Sequence, residues 1–510
     1  MSSAIPQNRA SFELSSLASL LGGKTACLPL ASSPHRALGV ATDTREDLVG
    51  KIFVALAGDR FDAHDYLQQA VDQGAVALVV QSCPASKRFV AQQNSNQLEQ
   101  AGVWVVVVPD TLVALGALAC EHRRRWGGRV LAIAGSAGKT TTRALCSELA
   151  ELLVPAQVHS TRGNLNNRIG VPMTLLGLCE GHHYAIVELG TNCPGEVARL
   201  GQMAAPDVAL LTLIDLEHTE GLGDLDGVEA EERAVFEALP EQGVAIGYGE
   251  DRRVLRSLSA APCETKLSYG WQPDRDLVIG AVHFDGPLCA RLTLHLPKNR
   301  CLRFATRLLG QPGALAHAAA TLAVEQLTLK PLNEELCERA GLAIELPGRG
   351  NVLFLSGPRY VLDDTYNSNP ASAAASIRTG EHIAREVGGR LWLVMGEMLE
   401  LGSHSRGAHE ELGQVAAKSD AQAVFFLQGD AEIAATISKK QGKEAAFYSR
   451  WQDLLRALVA RLAPLDVVVV KASRGVRAEQ VVQGLSAAFP MASPADLPPV
   501  LSSDSSALKP

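Results

Sequence analysis

Gly135-Ser136-Ala137-Gly138-Lys139-Thr140-Thr141 follows the apolar run Val130-Leu-Ala-Ile-Ala134 and opens a helix-compatible segment from Thr142 to Leu153. A strand, a glycine turn and a helix start make a cradle for phosphate. Glycines let the backbone close around the oxygens, and the amides of a helix N-terminus point partial positive charge at an anion. In such a cradle Lys139 reaches the β- and γ-phosphates of a nucleotide, and Thr140 or Thr141 offers a hydroxyl to Mg²⁺. Strict Walker A spacing places a glycine at position 133, where this chain has Ile133, so the loop is a short variant. Without the strand before it and the helix after it, the same string would read as an ordinary turn.

The surroundings are those of a large soluble protein. At 510 residues, with 47% hydrophobic and 20% charged content, the chain is too long for one core and suggests about three domains. Its apolar runs, Val103 to Val108 and Val467 to Val470 among them, have the length of buried strands and not of membrane spans. Met1 to Gln7 lacks the basic and apolar pattern of a signal peptide. The ten cysteines are scattered singly, without metal-ligand spacing, which fits a reducing cytoplasm. A net charge of −8 argues against a nucleic-acid surface. The one basic run, His122-Arg-Arg-Arg125, reads as a solvated helix end.

Three α/β blocks succeed one another. In residues 1–109, short strands (Ile52 to Leu56, Ala77 to Gln81, Val103 to Val108) alternate with helical stretches such as Tyr66 to Gln73. In residues 110–345, strands at Val130 to Ala134, Tyr184 to Leu189 and Val208 to Leu213 imply a parallel-sheet nucleotide domain, with a β-rich insertion at Cys263 to Phe304. In residues 346–490, Tyr360 to Leu362, Leu391 to Met395, Val424 to Leu427 and Val467 to Val470 read as a second, Rossmann-like doubly wound sheet. Asn369-Pro370 has the cap and first-turn residues of a helix start. Residues 491–510, rich in Ser and Pro, are expected to form a disordered tail.

Chemistry-bearing residues collect near the expected strand ends. Glu188 closes the strand beginning at Tyr184, and His218 follows the strand Val208 to Leu213. In an open parallel sheet, a carboxylate and an imidazole there can face Mg²⁺ on a triphosphate, although a salt bridge or a plain loop histidine is the simpler reading of each alone. Asn164-Leu-Asn166-Asn167 is an amide cluster of the kind that forms turns. Asp364-Thr-Tyr-Asn367-Ser-Asn369-Pro370 joins a strand-end carboxylate to polar side chains at a helix start.

Taken in order, these segments resemble the successive motifs of the Mur ligases. They are Gly135 to Thr141, Gly163 to Asn167 with Gly170-Val-Pro172, Glu188-Leu-Gly190 with Gly195-Glu196, Pro347-Gly-Arg349, Asp364 to Pro370, Gly396 to Gly402 and Lys471-Ala-Ser-Arg474. Asp43-Thr44-Arg45 and Phe53 to His64 are similar to the UDP-sugar domain of the member that adds D-alanyl-D-alanine. The resemblance implies three domains, for UDP-sugar, ATP and ligase closure. It also implies an ATP-dependent amide ligase of cytoplasmic peptidoglycan synthesis, monomeric, acting on UDP-MurNAc-tripeptide and D-alanyl-D-alanine. Residue by residue, it puts Lys139 with Gly135, Ser136, Ala137, Gly138, Thr140 and Thr141 on the phosphates. Thr140, Glu188 and His218 are implied for the metal sites, and Asn166 and Asn167 for the substrate side. Arg349, Asp364, Asn367 and Asn369 are to be delivered by the C-terminal domain, and Thr44 and Arg45 to lie near the uridine diphosphate.

Three positions depart from that pattern. Ungapped alignment places Glu232 where the family has a carbamylated lysine, and its carboxylate reaches roughly 3 to 4 Å less far. A water-bridged contact to Mg²⁺ is one reading; the other is a solvated acidic helix face made by Glu229, Glu231 and Glu232. On the adenine side, Pro312-Gly-Ala-Leu-Ala316 and Tyr248-Gly-Glu250 lack the family's base-binding amides, and each lost hydrogen bond costs on the order of 1 kcal/mol. Two other readings accompany the working ligase: an impaired paralogue that binds a UDP-muramoyl peptide or nucleotide as a regulator, and a sibling ligase with a different acceptor.

Overall fold

The computed structural model of the chain describes residues 8–27, 34–58, 61–92, 103–357 and 359–492. The expectation of no leader at Met1 to Gln7, two residues of the Phe53 to His64 motif and most of the expected tail lie outside these residues. Packing divides the chain into two units. The first holds the described parts of 1–132 with 154–190 and 196–207; the second holds 133–153, 191–195 and the described residues from 208 onward. The division falls inside the strand Arg129–Ala134.

In the first unit, a sheet runs in the order Lys24–Cys27, Trp104–Val108, Ala77–Gln81, Ile52–Val54, Val40–Ala41. The edge strand 24–27 is antiparallel to its neighbour and the other pairs are parallel. Ile52, Phe53, Val54, Leu78, Val79 and Val80 are all fully buried, so both faces of these strands are covered and the apolar run is unbroken. The helix Thr111–Trp126 starts on the Asp110 carboxylate, which accepts from the amides of Leu112 and Val113. Its end corrects the reading of His122 to Arg125 as a solvated run. Arg123 is buried and donates to the carbonyls of Ala204 and Ala205, and His122 bonds the carbonyl of Leu178 at 2.8 Å. Arg124 remains exposed.

In the second unit, Val208–Leu211, Val244–Tyr248, Thr265–Gly270 and Leu277–Phe284 pair successively in parallel. Leu277–Phe284, Ala290–Leu296 and Arg300–Thr306 then continue as antiparallel hairpins. The β-rich stretch at 263–304 continues the parallel sheet. The helix Gly310–Thr328 is buried nearly all round, which its alanines and glycines permit by letting neighbours approach closely. His317, in its middle, is fully buried with Nε2 2.8 Å from Thr306 Oγ1.

The C-terminal sheet, also in the second unit, is ordered Asn351–Leu355, Arg359–Asp364, Val467–Lys471, Leu391–Gly396, Ala423–Leu427, Ala445–Tyr448. Only the first pair is antiparallel. The four valines 467–470 occupy an interior strand, where β-branched side chains on both faces are buried. This register brings Asp364 opposite Lys471 at the carboxyl edge. Asn369 caps the helix Pro370–Val387 through a reciprocal box with Ser372, as its sequence predicted. At the far end, Met491 bridges to Leu355 and the Ala492 amide donates to Phe354, so the segment expected to be disordered begins with two ordered residues.

Burial holds the His317 imidazole down at about 3. Above pH 6.5 neither the folded nor the unfolded state carries this proton. As pH falls from 6.5 toward 3 only the unfolded state gains it, so stability is lost. At pH 5 the loss amounts to about 2 kcal/mol. A His317→Gln variant is therefore expected to lose less melting temperature than the parent between pH 7 and pH 5, as measured by thermal denaturation.

Candidate nucleotide and ligase site

The phosphate loop is shaped by its neighbours in the second unit. Gly135 has a φ of +121°, and a Cβ there would meet Thr212 Oγ1 at 2.2 Å, so only glycine fits the turn. The Gly135 amide donates to Glu232 Oε2 at 2.6 Å and the Ser136 amide to the Leu213 carbonyl at 2.8 Å. Thr212 Oγ1 donates to the Ala137 carbonyl at 2.7 Å, and the Asp215 amide donates to Ser136 Oγ at 3.0 Å. The first two amides of the loop are thus internal. The cradle falls to residues 137–141, where Gly138 turns with a φ of +86° and the helix Lys139–Leu153 begins. A helix's first amides have no partner within the helix, an arrangement that suits an anion.

Lys139 is mostly buried. Its ammonium donates to the Gly135 carbonyl and lies 3.3 Å from Glu217 Oε2. Burial pushes the Glu217 carboxyl up, but Lys139 and His218 beside it outweigh that and hold it below the ordinary value. His218 sits in left-handed backbone, with Nε2 3.4 Å from Glu217 and Nδ1 paired to Glu400. Burial lowers the imidazole, yet the two carboxylates raise it to about 9, so it is a cation at neutral pH. A protonated imidazole has no lone pair for a metal.

The same loop meets the C-terminal segment. Asp215 Oδ2 accepts from the Ala371 amide at 3.0 Å, Asn367 Nδ2 lies 3.4 Å from Glu217 Oε1, and Thr219 Oγ1 donates to the Leu401 carbonyl at 2.8 Å. Lys471 bridges Asp364, at 2.8 Å, and the Asn367 carbonyl, at 2.7 Å. Asn369 spends its side chain on the helix cap. Arg349 stacks on Tyr366, its guanidinium carbon 3.8 Å from the ring centroid.

The acidic helix Leu225–Glu232 is not the solvated face considered above. Glu231 and Glu232 are buried, and burial, only partly offset by Lys139, raises Glu232 to about 7. Glu231 accepts from Thr191 Oγ1 at 2.9 Å and from the Gly195 amide at 2.6 Å. Glu250, at one of the adenine-side departures, accepts from the amides of Trp271 and Gln272 and so closes a turn. At the other, Pro312 to Ala316 lie in the first turns of the helix Gly310–Thr328.

The first unit holds the remaining residues. Asn166 Nδ2 donates to Glu188 Oε1 at 2.9 Å, and Asn167 Oδ1 accepts from the amides of Ile169 and Gly170, a turn role. Thr44 is buried, while Arg45 extends into solvent paired with Asp43. Lys139, Thr140, His218, Glu232, Arg349, Asp364, Asn367 and Asn369 thus belong to one unit, and Thr44, Arg45, Asn166, Asn167 and Glu188 to the other. Among the described residues, no three His, Cys, Asp or Glu side chains gather closely enough to hold a metal ion. Sequence reading missed Asp215 and Glu217, placed Glu231 only on a solvated face, and held Glu400 only within the motif Gly396 to Gly402. For Glu217 the available signal was its place beside His218 after a strand; for the others only long-range contact reveals the role.

The Mur ligase middle domain family matches residues 133–324, and the Mur ligase, glutamate ligase domain family matches residues 348–474. The chain belongs to the Mur ligase family. Within it, this chain is similar to MurF proteins. The UDP-N-acetylmuramoyl-tripeptide-D-alanyl-D-alanine ligases of Bacillus subtilis (strain 168) and Escherichia coli (strain K12) are 31% and 33% identical to it, over 88% of this chain and 93% of each relative. Crystalline MurF from Acinetobacter baumannii superposes with a TM-score of 0.79 at 26% identity, covering 95% of this chain and 99% of that one. The MurF ligase of Thermotoga maritima, solved in complex with ADP, gives 0.75 at 26% identity over 88% and 97%.

A methyl at position 135 has no room, whereas at Gly181 nothing lies within 4 Å of the added carbon. Gly135→Ala is expected to lower the melting temperature and abolish ADP binding in calorimetry. Gly181→Ala should leave both at the parental values.

Proposed function

We propose that this chain is a MurF-type ligase that joins D-alanyl-D-alanine to UDP-MurNAc-tripeptide at the expense of ATP. The observation that carries the reading is the phosphate loop with its buried Lys139, in a chain that matches MurF relatives along 93% of their length. No described helix is long and apolar enough to cross a membrane. We further assign the protein to the cytoplasm as a monomer without a nucleic-acid partner. Its domains are taken as 1–109 for the UDP-sugar, 110–345 for ATP and 346–490 for ligase closure.

A carboxylate is a poor electrophile until one of its oxygens becomes a good leaving group. The terminal carboxylate of the tripeptide attacks the γ-phosphorus of ATP, ADP departs, and an acyl phosphate forms. The amine of D-alanyl-D-alanine then attacks the acyl carbon, phosphate leaves with the bond electrons, and the amine gives up a proton. Lys139 and the amides of residues 137–141 hold the phosphates and offset charge as the phosphoryl group moves. Bound with the nucleotide, Mg²⁺ would neutralise further phosphate charge, and the motif match assigns Thr140, Glu188 and His218 to it. The oxygens of Thr140 and Glu188 suit so hard a cation; His218 would suit it after losing the proton and the carboxylate partner of one ring nitrogen. Arg349, Asp364, Asn367 and Asn369 are assigned to the nucleotide and substrate, with Asn369 acting through the turn it caps. Asn166 and Asn167 are assigned to the peptide side, and Thr44 and Arg45 to the uridine diphosphate.

The purified protein given ATP, Mg²⁺, UDP-MurNAc-tripeptide and D-alanyl-D-alanine is expected to release ADP only when both acceptor and tripeptide are present. Lys139→Ala should reduce that rate by about 100-fold or more. Product mass identifies the pentapeptide; substrate-independent ADP release, or turnover equal to that of Lys139→Ala, would defeat the assignment.

A further inference from the structure

We propose that Glu232 is a positioning residue for the phosphate loop, fixing the Gly135 amide so that the amides of residues 137–141 face the nucleotide. The inference rests on the nucleotide reading above and adds a residue-level cause for the loop's shape. Gly135 and Ser136 both direct their amides inward. Ser136 finds a backbone carbonyl, that of Leu213, whereas Gly135 finds a side chain 97 residues further along the chain. Of these two inward amides, the one at Gly135 is held by a side chain, that of Glu232.

Its placement runs against electrostatic preference. Glu231 and Glu232 end the helix Leu225–Glu232, where the helix dipole disfavours negative charge, and both are buried. Two adjacent buried carboxylates in such a place need specific partners. Each has them: Glu231 grips Thr191 Oγ1 and the Gly195 amide, and Glu232 grips Gly135. The other end of the helix is tied by Asp224, which accepts from the amides of Asp226 and Gly227. With its helix held at both ends, the Glu232 carboxylate has little freedom, and the loop amide it accepts from inherits that rigidity. Thr191 is three residues beyond Glu188 in the chain, so the same helix end also anchors the segment that follows that carboxylate.

The test is calorimetric titration of ADP in EDTA, with no metal present, against the full chain and its variants. Glutamine keeps an acceptor oxygen at this position, and alanine removes it. The parent and Glu232→Gln are expected to bind within about threefold of one another, and Glu232→Ala about tenfold more weakly. In turnover, Glu232→Ala should raise the KM for ATP by a similar factor while kcat at saturation changes less than about threefold. If Glu232→Ala does not melt cooperatively, Glu232→Met, which fills the space without an acceptor, takes its place with the same expectation. Parental metal-free ADP affinity in Glu232→Ala, or a Glu232→Gln variant as weak as alanine, would overturn the assignment while leaving the nucleotide site standing. A parent protein that binds no ADP would overturn the nucleotide reading and this assignment together.

Discussion

A lysine ammonium held out of water must be neutralised, and much of the site follows from how this chain does so for Lys139. Removing a partner from such a pair leaves an uncompensated charge, which costs about 3 to 5 kcal/mol. Glu217 fills that place, and it also faces His218 and Asn367. The counter-ion of Lys139 is therefore shared with the turn at the carboxyl edge of the C-terminal sheet. A phosphate bound at Lys139 would compete with Glu217 for one ammonium, and Glu217 in turn faces Asn367.

The loop Asp215 to Gly223 has the same double character along its length. It donates to Ser136 through the Asp215 amide, accepts from the Ala371 amide at Asp215, and donates from Thr219 to the Leu401 carbonyl. His218 joins the pattern as a cation clamped between Glu217 and Glu400. As a metal ligand it would give up one proton and the carboxylate on the nitrogen that binds, while the other nitrogen could keep its own partner.

Two of the positions that depart from the Mur ligase pattern have structural partners. Glu232 accepts from the Gly135 amide, and Glu250 closes the turn at Trp271 and Gln272. Neither carboxylate is idle surface. That is why an acidic run at 229–232, ordinarily a solvated face, reads differently once its surroundings are known: charge content is visible in a sequence, while the donor that justifies burying it is not.

Local pattern was enough for the elements. The valine run 467–470, the strand Val130 to Ala134 with its glycine turn, and the cap at Asn369-Pro370 all appear where their residues place them, because strand propensity, backbone freedom at glycine and helix capping act over a few residues. Motif order also pointed to the nucleotide loop and the ligase family. What only the tertiary structure decided is which groups meet. Glu217 with Lys139, Glu400 with His218, Glu232 with Gly135 and Arg123 with the carbonyls of Ala204 and Ala205 are each separated by tens to nearly two hundred residues in the chain. A charge or an amide is satisfied by whatever the fold brings within 3 to 4 Å of it, and that distance is set by sheet order and helix packing, not by neighbours in sequence.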